Sequence, residues 1–185
     1  MNRKNKYNLK SMLQCSLFAA LLCIMAPLTF PVGVVPVTLG IFAVIICASV
    51  LGVSRSMVSV GVYIALGAIG LPVFSGWQGG VGVLVGPTGG YIWSYIIVCI
   101  IVGKCADMST PRWFAILCGL LALLICYICG TVQYMVVSGS DIVVSLTVCV
   151  YPFVIFDIIK VWAATVAGNR IRDALKKNGV ADKFT

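Results

Sequence analysis

The chain contains no histidine and no glutamate, and its only acids are five aspartates. Histidine is the usual proton carrier near neutral pH and a common metal ligand. Its absence removes the ordinary routes to general-base catalysis and to a metal centre. Charge of either sign is scarce: charged residues make up 10% of the chain and hydrophobic ones 61%, whereas soluble domains average about 25% and 45–50%. No polar stretch is long enough to build a water-soluble domain. No glycine-rich segment carries the GK[ST] ending of a nucleotide cradle, and no serine–lysine dyad has motif support. What remains is a polytopic membrane protein, and what is missing limits the mechanisms open to it.

Two features that are present invite misreading. The net charge of +8 does not indicate nucleic acid, because the basic residues sit in short flanks between apolar runs, which is a topology signal. Nine cysteines fall almost entirely inside apolar runs. Cys126 and Cys129 form a CxxC, but without nearby acids, so they read as small apolar filler and no metal site is assigned.

A bilayer span needs about 20 apolar residues. The runs are 11–30, 37–53, 57–71, 91–104 and 113–136, followed by a last apolar stretch, 142–168. The basic N-terminal stretch followed by the first run reads as a retained first helix rather than a cleaved leader. The last stretch is too long for one span. Proline is tolerated in the first turn of a helix and disfavoured inside one, so Pro152 divides this stretch. Residues 142–150 become a short dipping segment, and a sixth helix runs from near Pro152 to near Ile171. Ser54-Arg55-Ser56 separates the second and third runs. The expected architecture is an all-α integral membrane protein, a single domain over 1–185 with six transmembrane helices. Twelve of the thirteen basic residues then fall on one face: Arg3, Lys4, Lys6, Lys10, Arg55, Lys104, Arg112, Arg170, Arg172, Lys176, Lys177 and Lys183. The positive-inside rule puts that face and both termini in the cytoplasm. The loops at 30–38, 70–90 and 137–151, which hold most of the proline and glycine punctuation, face outward.

The thirteenth basic residue, Lys160, is in the membrane, three residues after Asp157 in the run YPFVIFDIIKVWAATVAG. Three residues apart on a helix, the two share a face. Charges at bilayer depth cost at least a few kcal/mol and usually turn inward, pair up and serve a function. One reading is a ligand site whose polar groups exchange hydrogen bonds with both. The other is a structural pair that pins the last helix to a neighbour. The segment from Gly79 to Tyr91 holds six glycines in thirteen residues and few polar groups. Irregular backbone at membrane depth survives where protein or a watery cavity receives it, so this segment reads as a lid or cavity wall. The aromatics Trp77, Tyr91, Trp93, Tyr95, Tyr134 and Tyr151 cluster toward the outer end and read mostly as an interface belt, with Trp93 or Tyr91 the alternative candidates to stack on a flat ligand. On the first helix, Cys15, Ala19 and Cys23 recur at steps of four, with Ser16 and Ala20 beside them. Such a stripe lets another helix approach, either a partner's or one of the bundle's own.

These residues resemble a known family. Six spans in 185 residues are similar to the substrate-binding S components of energy-coupling factor (ECF) transporters. Within that group the chain resembles the biotin-binding BioY family. The resemblance rests on Gly67-Ala68-Ile69-Gly70-Leu71-Pro72-Val73-Phe74, Gly79-Gly80, Gly86-Pro87-Thr88-Gly89-Gly90-Tyr91, Pro36-Val37-Thr38 and Tyr151-Pro152-Phe153…Asp157-Ile158-Ile159-Lys160. It implies an S-component bundle with N-in/C-in topology in the cytoplasmic membrane of a prokaryote. It also implies capture of biotin by Asp157 and Lys160 beneath a closing loop that contributes Gln78, Gly79, Gly80, Gly86, Thr88, Gly89 and Gly90. The implied partners are a transmembrane coupling subunit and two ATPases, with Cys15, Ala19 and Cys23 standing at the family's first-helix docking motif. No cofactor, no nucleic acid and no covalent chemistry are implied. Ile155 and Phe156 depart from the proline and glycine that often precede the family's aspartate. The alternatives are an S component for another vitamin, or a small intramembrane enzyme using Asp157 and Lys160.

Overall fold

The computed structural model describes residues 9–30 and 37–177. Arg3, Lys4, Lys6, Pro31, Pro36 and Lys183 lie outside the described residues. The elements are α1 (Leu9–Met25), β1 (Thr29–Phe30), β2 (Val37–Thr38), α2 (Gly40–Ala68), α3 (Val81–Val85), α4 (Gly89–Asp107), α5 (Arg112–Ser138), α6 (Ile142–Cys149) and α7 (Val154–Lys177). The two strands form a minimal antiparallel ladder, Thr29 opposite Thr38 and Phe30 opposite Val37, so the expected all-α fold acquires one short β element. It lies in the proline-marked connection. Two residues are too few to show the alternation by which a strand is read from sequence.

Three helices, α2, α4 and α5, are long and apolar enough to cross a membrane, and α6 with α7 makes a fourth candidate as a pair bent by 51°. The bend is where Pro152 stands: residues 150–153 form turns, and α7 starts at Val154. Proline's fixed φ and missing N–H stop α6 from running on into α7. Apolar α1, at 17 residues, is shorter than a full span.

The 29-residue element α2 is not one straight rod. Gly52 within it has φ 74° and ψ −174°, a conformation that residues with a Cβ rarely adopt. Gly40 and Tyr63 both lie against Tyr95 of α4, while Gly52 lies against Asp107 at the far end of the same helix. A straight helix would separate residues 40 and 63 by about 35 Å, so the chain reverses at Gly52. Asp107 fixes the reversal, its Oδ2 accepting from the Val53 N–H at 3.1 Å. The break thus falls at Gly52, not at Ser54-Arg55-Ser56. Arg55 is already helical, and its guanidinium donates to Gln14 Oε1 on α1 at 3.0 Å.

These contacts define two ends. At one lie the ladder, the glycine-rich connection 69–88, and Asp157 with Lys160. At the other lie Asp107, Arg112 and Arg172. Arg172 is 4% exposed and donates to Asp107 Oδ1 at 3.1 Å and to the Ser49 carbonyl at 3.2 Å, joining α7 to α4 and α2. The core between the ends is aliphatic and aromatic, centred on Val44, Ile45, Val60, Tyr63, Val98 and Val161.

Candidate ligand-binding site

Asp157 lies in the first turn of α7, where the positive end of the helix favours a carboxylate. Its side chain is 12% exposed and that of Lys160 15%. Lys160 Nζ donates to Asp157 Oδ1 at 2.7 Å and to the Thr38 carbonyl at 2.9 Å. The second carboxylate oxygen accepts from Tyr127 Oη, on α5, at 2.7 Å. One carboxylate therefore gathers α5, α7 and, through the lysine, the β ladder. Each of its oxygens keeps a further lone pair.

Asp157 also forms part of the wall of a cavity of about 720 Å³, counting its open mouth. Tyr91, Ile92 and Tyr95 of α4 form one side, and Leu123, Cys126 and Tyr127 of α5 another. Phe153, Tyr63 and Thr38 complete the walls. The lining is mostly apolar and aromatic with a few polar atoms, the pattern of small-molecule sites. Tyr63 packs edge-on against buried Phe74 (centroids 5.6 Å) and tilted against Tyr95 (6.4 Å), which holds the aromatic wall rigid. Ser75, also on the wall, has a buried Oγ with no hydrogen-bond partner among the described residues.

The glycine-rich connection sits at this same end. It contains a 3-10 turn, Ser75–Trp77, and the five-residue α3, so it is more ordered than an irregular lid. Gln133 of α5 staples it: its Nε2 donates to the carbonyls of Leu84 (2.9 Å) and Gly86 (2.7 Å). Gly89 and Gly90 allow α4 to press against Leu84, Gln133 and the backbone at Cys129, where a Cβ would collide. Gly80 donates its N–H to the Gly67 carbonyl at 2.7 Å, and Gly79 abuts the carbonyls of Gly70 and Leu71.

Of the residues picked out in the sequence, Asp157, Thr88 and Tyr91 line the cavity. Lys160 bonds two residues of that lining, Asp157 and Thr38, without lining the cavity itself. Gln78, Gly79, Gly80, Gly86, Gly89 and Gly90 build the connection and its seat without lining the cavity. Tyr91 Oη donates to the Cys149 carbonyl at 3.0 Å, tying α4 to α6. Trp93 is 46% exposed and outside the cavity lining, its Nε1 donating to the Leu84 carbonyl at 3.1 Å at the end of α3. On α1 the docking stripe faces inward. Ala19 is 3% exposed, Cys15 Sγ reaches the Arg55 carbonyl at 3.6 Å, and Ser59 Oγ donates to the Cys15 carbonyl at 3.1 Å. Cys23 is half-buried, whereas Ser16 and Ala20 are exposed. Successive helical residues are about 100° apart, so of two adjacent small-residue stripes only one can meet α2. Tyr127, Ser75 and Gln133 had not been singled out. Their signal is a lone polar side chain in apolar surroundings, weaker than a charge.

A family model described as the BioY family matches residues 1–177. The chain is 35% identical to a biotin transporter BioY of Thermotoga maritima over 164 residues, covering 89% of this chain and 96% of that one. It is 32% identical to biotin transporter BioY2 of Lactococcus lactis over 171 residues, 90% and 92% of the two chains. Among solved structures, an S-component for biotin from an ECF-type ABC transporter superposes with a TM-score of 0.84 at 25% identity. That match covers 93% of this chain and 95% of the other.

Proposed function

The chain belongs to the BioY family, and from that premise we propose that it is the substrate-binding component of a prokaryotic biotin uptake system. The observation that carries this reading is the Asp157 carboxylate, exposed to an aromatic cavity and held by Lys160 and Tyr127. Biotin has an apolar bicyclic body, a ureido group with two N–H donors, and a carboxylate. The aromatic wall suits the body. The free lone pairs of Asp157 suit N–H donors, since a charged acceptor makes the shorter and stronger hydrogen bond. Ser75 Oγ is a second point of attachment, because a buried hydroxyl left without a partner costs about 1–3 kcal/mol that a ligand group can recover. Lys160, bonded to both the carboxylate and the Thr38 carbonyl, aims the carboxylate, and the glycine-rich connection closes the mouth. No bond in the ligand is made or broken: the family is one of transporters, not enzymes.

The wider assembly follows the same reading. The loaded protein docks on a transmembrane coupling subunit attached to two ATPases, which supply the energy this chain lacks the residues to harvest. The arms of α2 on either side of Gly52 act as two spans, giving six spans with both termini cytoplasmic and the cavity outward, in the cytoplasmic membrane. The described basic residues other than Lys160 gather at the end opposite the cavity, as positive-inside topology requires. With Ala19 turned into the bundle, Ser16 and Ala20 are the small residues of α1 left on an outer face for a partner helix.

The test is calorimetric titration of the purified chain with biotin, thiamine and riboflavin. Biotin alone is expected to bind, below micromolar concentration. Asp157→Asn is expected to weaken binding by at least about tenfold, the worth of one charge-assisted hydrogen bond, with the fold retained. No heat with biotin, or equal heat with the other vitamins, overturns the assignment.

A further inference from the structure

A second cavity opens at the other end of the bundle, about 700 Å³ counting the part open to solvent, where the end of α4, the start of α5 and the second half of α7 meet. The biotin reading does not use it. Three cations border it, Arg112, Arg172 and Lys176, together with the hydroxyl residues Ser109 and Thr110. Two carboxylates oppose them. Asp107 accepts from Arg172 at 3.1 Å, and Asp173, also on the wall, is 3.8 Å from Arg112. The Arg112–Asp173 pair has side chains 69% and 64% exposed. Exposed pairs of this kind hold together by about 0–1 kcal/mol, so Arg112 is readily recruited by a competing anion. Among the described residues, Lys176 Nζ reaches Ser109 Oγ alone, at 3.5 Å.

Two further features give the cavity a sign. The 27-residue helix α5 begins on its wall at Pro111 and Arg112, with no side-chain cap. Its leading N–H groups and dipole favour an anion there. Independently, Ser49 lines the cavity, is 1% exposed, and has an Oγ with no partner among the described residues. Its side chain packs against Gly168 of α7, and its carbonyl accepts from Arg172 at 3.2 Å, which holds that guanidinium in the wall.

The geometry points to this cavity as a binding site for a phosphate group, held by Arg112, Lys176 and the start of α5, with Arg172 fixed behind them by Asp107. The phosphate is that of an anionic phospholipid headgroup, as basic pockets between membrane helices commonly take, or of a small soluble phosphate. The site is independent of biotin: either assignment can fail without the other.

The experiment uses the full chain purified in detergent. Native mass spectrometry after adding short-chain phosphatidylglycerol is compared with phosphatidylcholine at equal concentration. Thermal unfolding in inorganic phosphate is compared with chloride at matched ionic strength. We expect a retained phosphatidylglycerol adduct or a phosphate-specific rise in unfolding temperature. In Arg112→Gln/Lys176→Gln the apparent affinity should fall by about tenfold, while the biotin-induced thermal shift stays unchanged. An adduct without a phosphate effect identifies the lipid, and a phosphate effect without an adduct identifies the soluble anion. If neither anion exceeds its control, or the double variant binds as tightly as the unaltered chain, the site does not exist. Should the double variant fail to fold, Arg112→Gln alone, with its exposed side chain, decides by the same criteria.

Discussion

Asp157 carries two duties that substitutions can separate. It accepts from Tyr127 and Lys160, which fixes helices to one another, and it faces the cavity. Removing the lysine leaves a buried carboxylate without its counter-charge, a change that costs about 3–5 kcal/mol in buried pairs. Lys160→Ala is therefore expected to lower both thermal stability and biotin affinity, and Asp157→Asn, which leaves the ammonium facing a neutral amide, should also lower both, with the larger loss in affinity. Tyr127→Phe keeps the ring in the wall and removes one donor. It should weaken biotin about fivefold with little change in unfolding temperature, as calorimetry and thermal unfolding run side by side would show. Equal affinity in Tyr127→Phe would mean the tyrosine serves packing alone. The charge pair was legible in the sequence because two ions in an apolar run have no inexpensive alternative to pairing. Tyr127 was not, because tyrosine in a membrane helix is as often an interfacial anchor. Only the structure shows its hydroxyl turned toward α7.

At the scale of elements, the boundaries set by backbone chemistry were readable and those set by packing were not. Pro152 announced the break between α6 and α7. The reversal inside α2 was expected at the polar triplet around Arg55, but a left-handed turn needs glycine more than it needs polarity, and Gly52 supplies it. Gly52→Ala would place a methyl against the Asp107 carboxylate at positive φ. A loss of more than about 1 kcal/mol in stability is expected, measurable by thermal unfolding. On α1, the outward or inward sense of two adjacent small-residue stripes has no signature in sequence. Ala19→Leu is expected to overpack the α1–α2 contact, costing about 1–3 kcal/mol and reducing binding and uptake together, because the residue belongs to the bundle. If uptake alone were lost with stability intact, Ala19 would be a partner contact after all. Gln133→Leu removes both staples from the lid segment. Its expected mark is faster biotin release in stopped-flow displacement, with little change in the fold.

At the scale of the molecule, the two ends differ in chemistry. One offers aromatic rings, a buried carboxylate and a glycine-rich cover. The other gathers the cationic side chains of the described residues, Lys160 excepted. A reporter fused after the last residue, active only in the cytoplasm, is expected to be active, and the same reporter inserted at Ser140 is expected to be silent. The reverse pattern would invert the proposed orientation.

The hydrogen bond from Lys160 to the Thr38 carbonyl spans 122 positions of sequence, and it has a consequence for biogenesis. Apart from Phe153, the aromatic walls and the cover are synthesised before residue 150, yet the ionic half of the pocket arrives with the final helix. A nascent chain halted short of that helix would present a greasy slot with no polar grip. On the proposed reading, vitamin capture would begin only once translation is nearly finished, and a truncated product would not compete for the vitamin with intact copies.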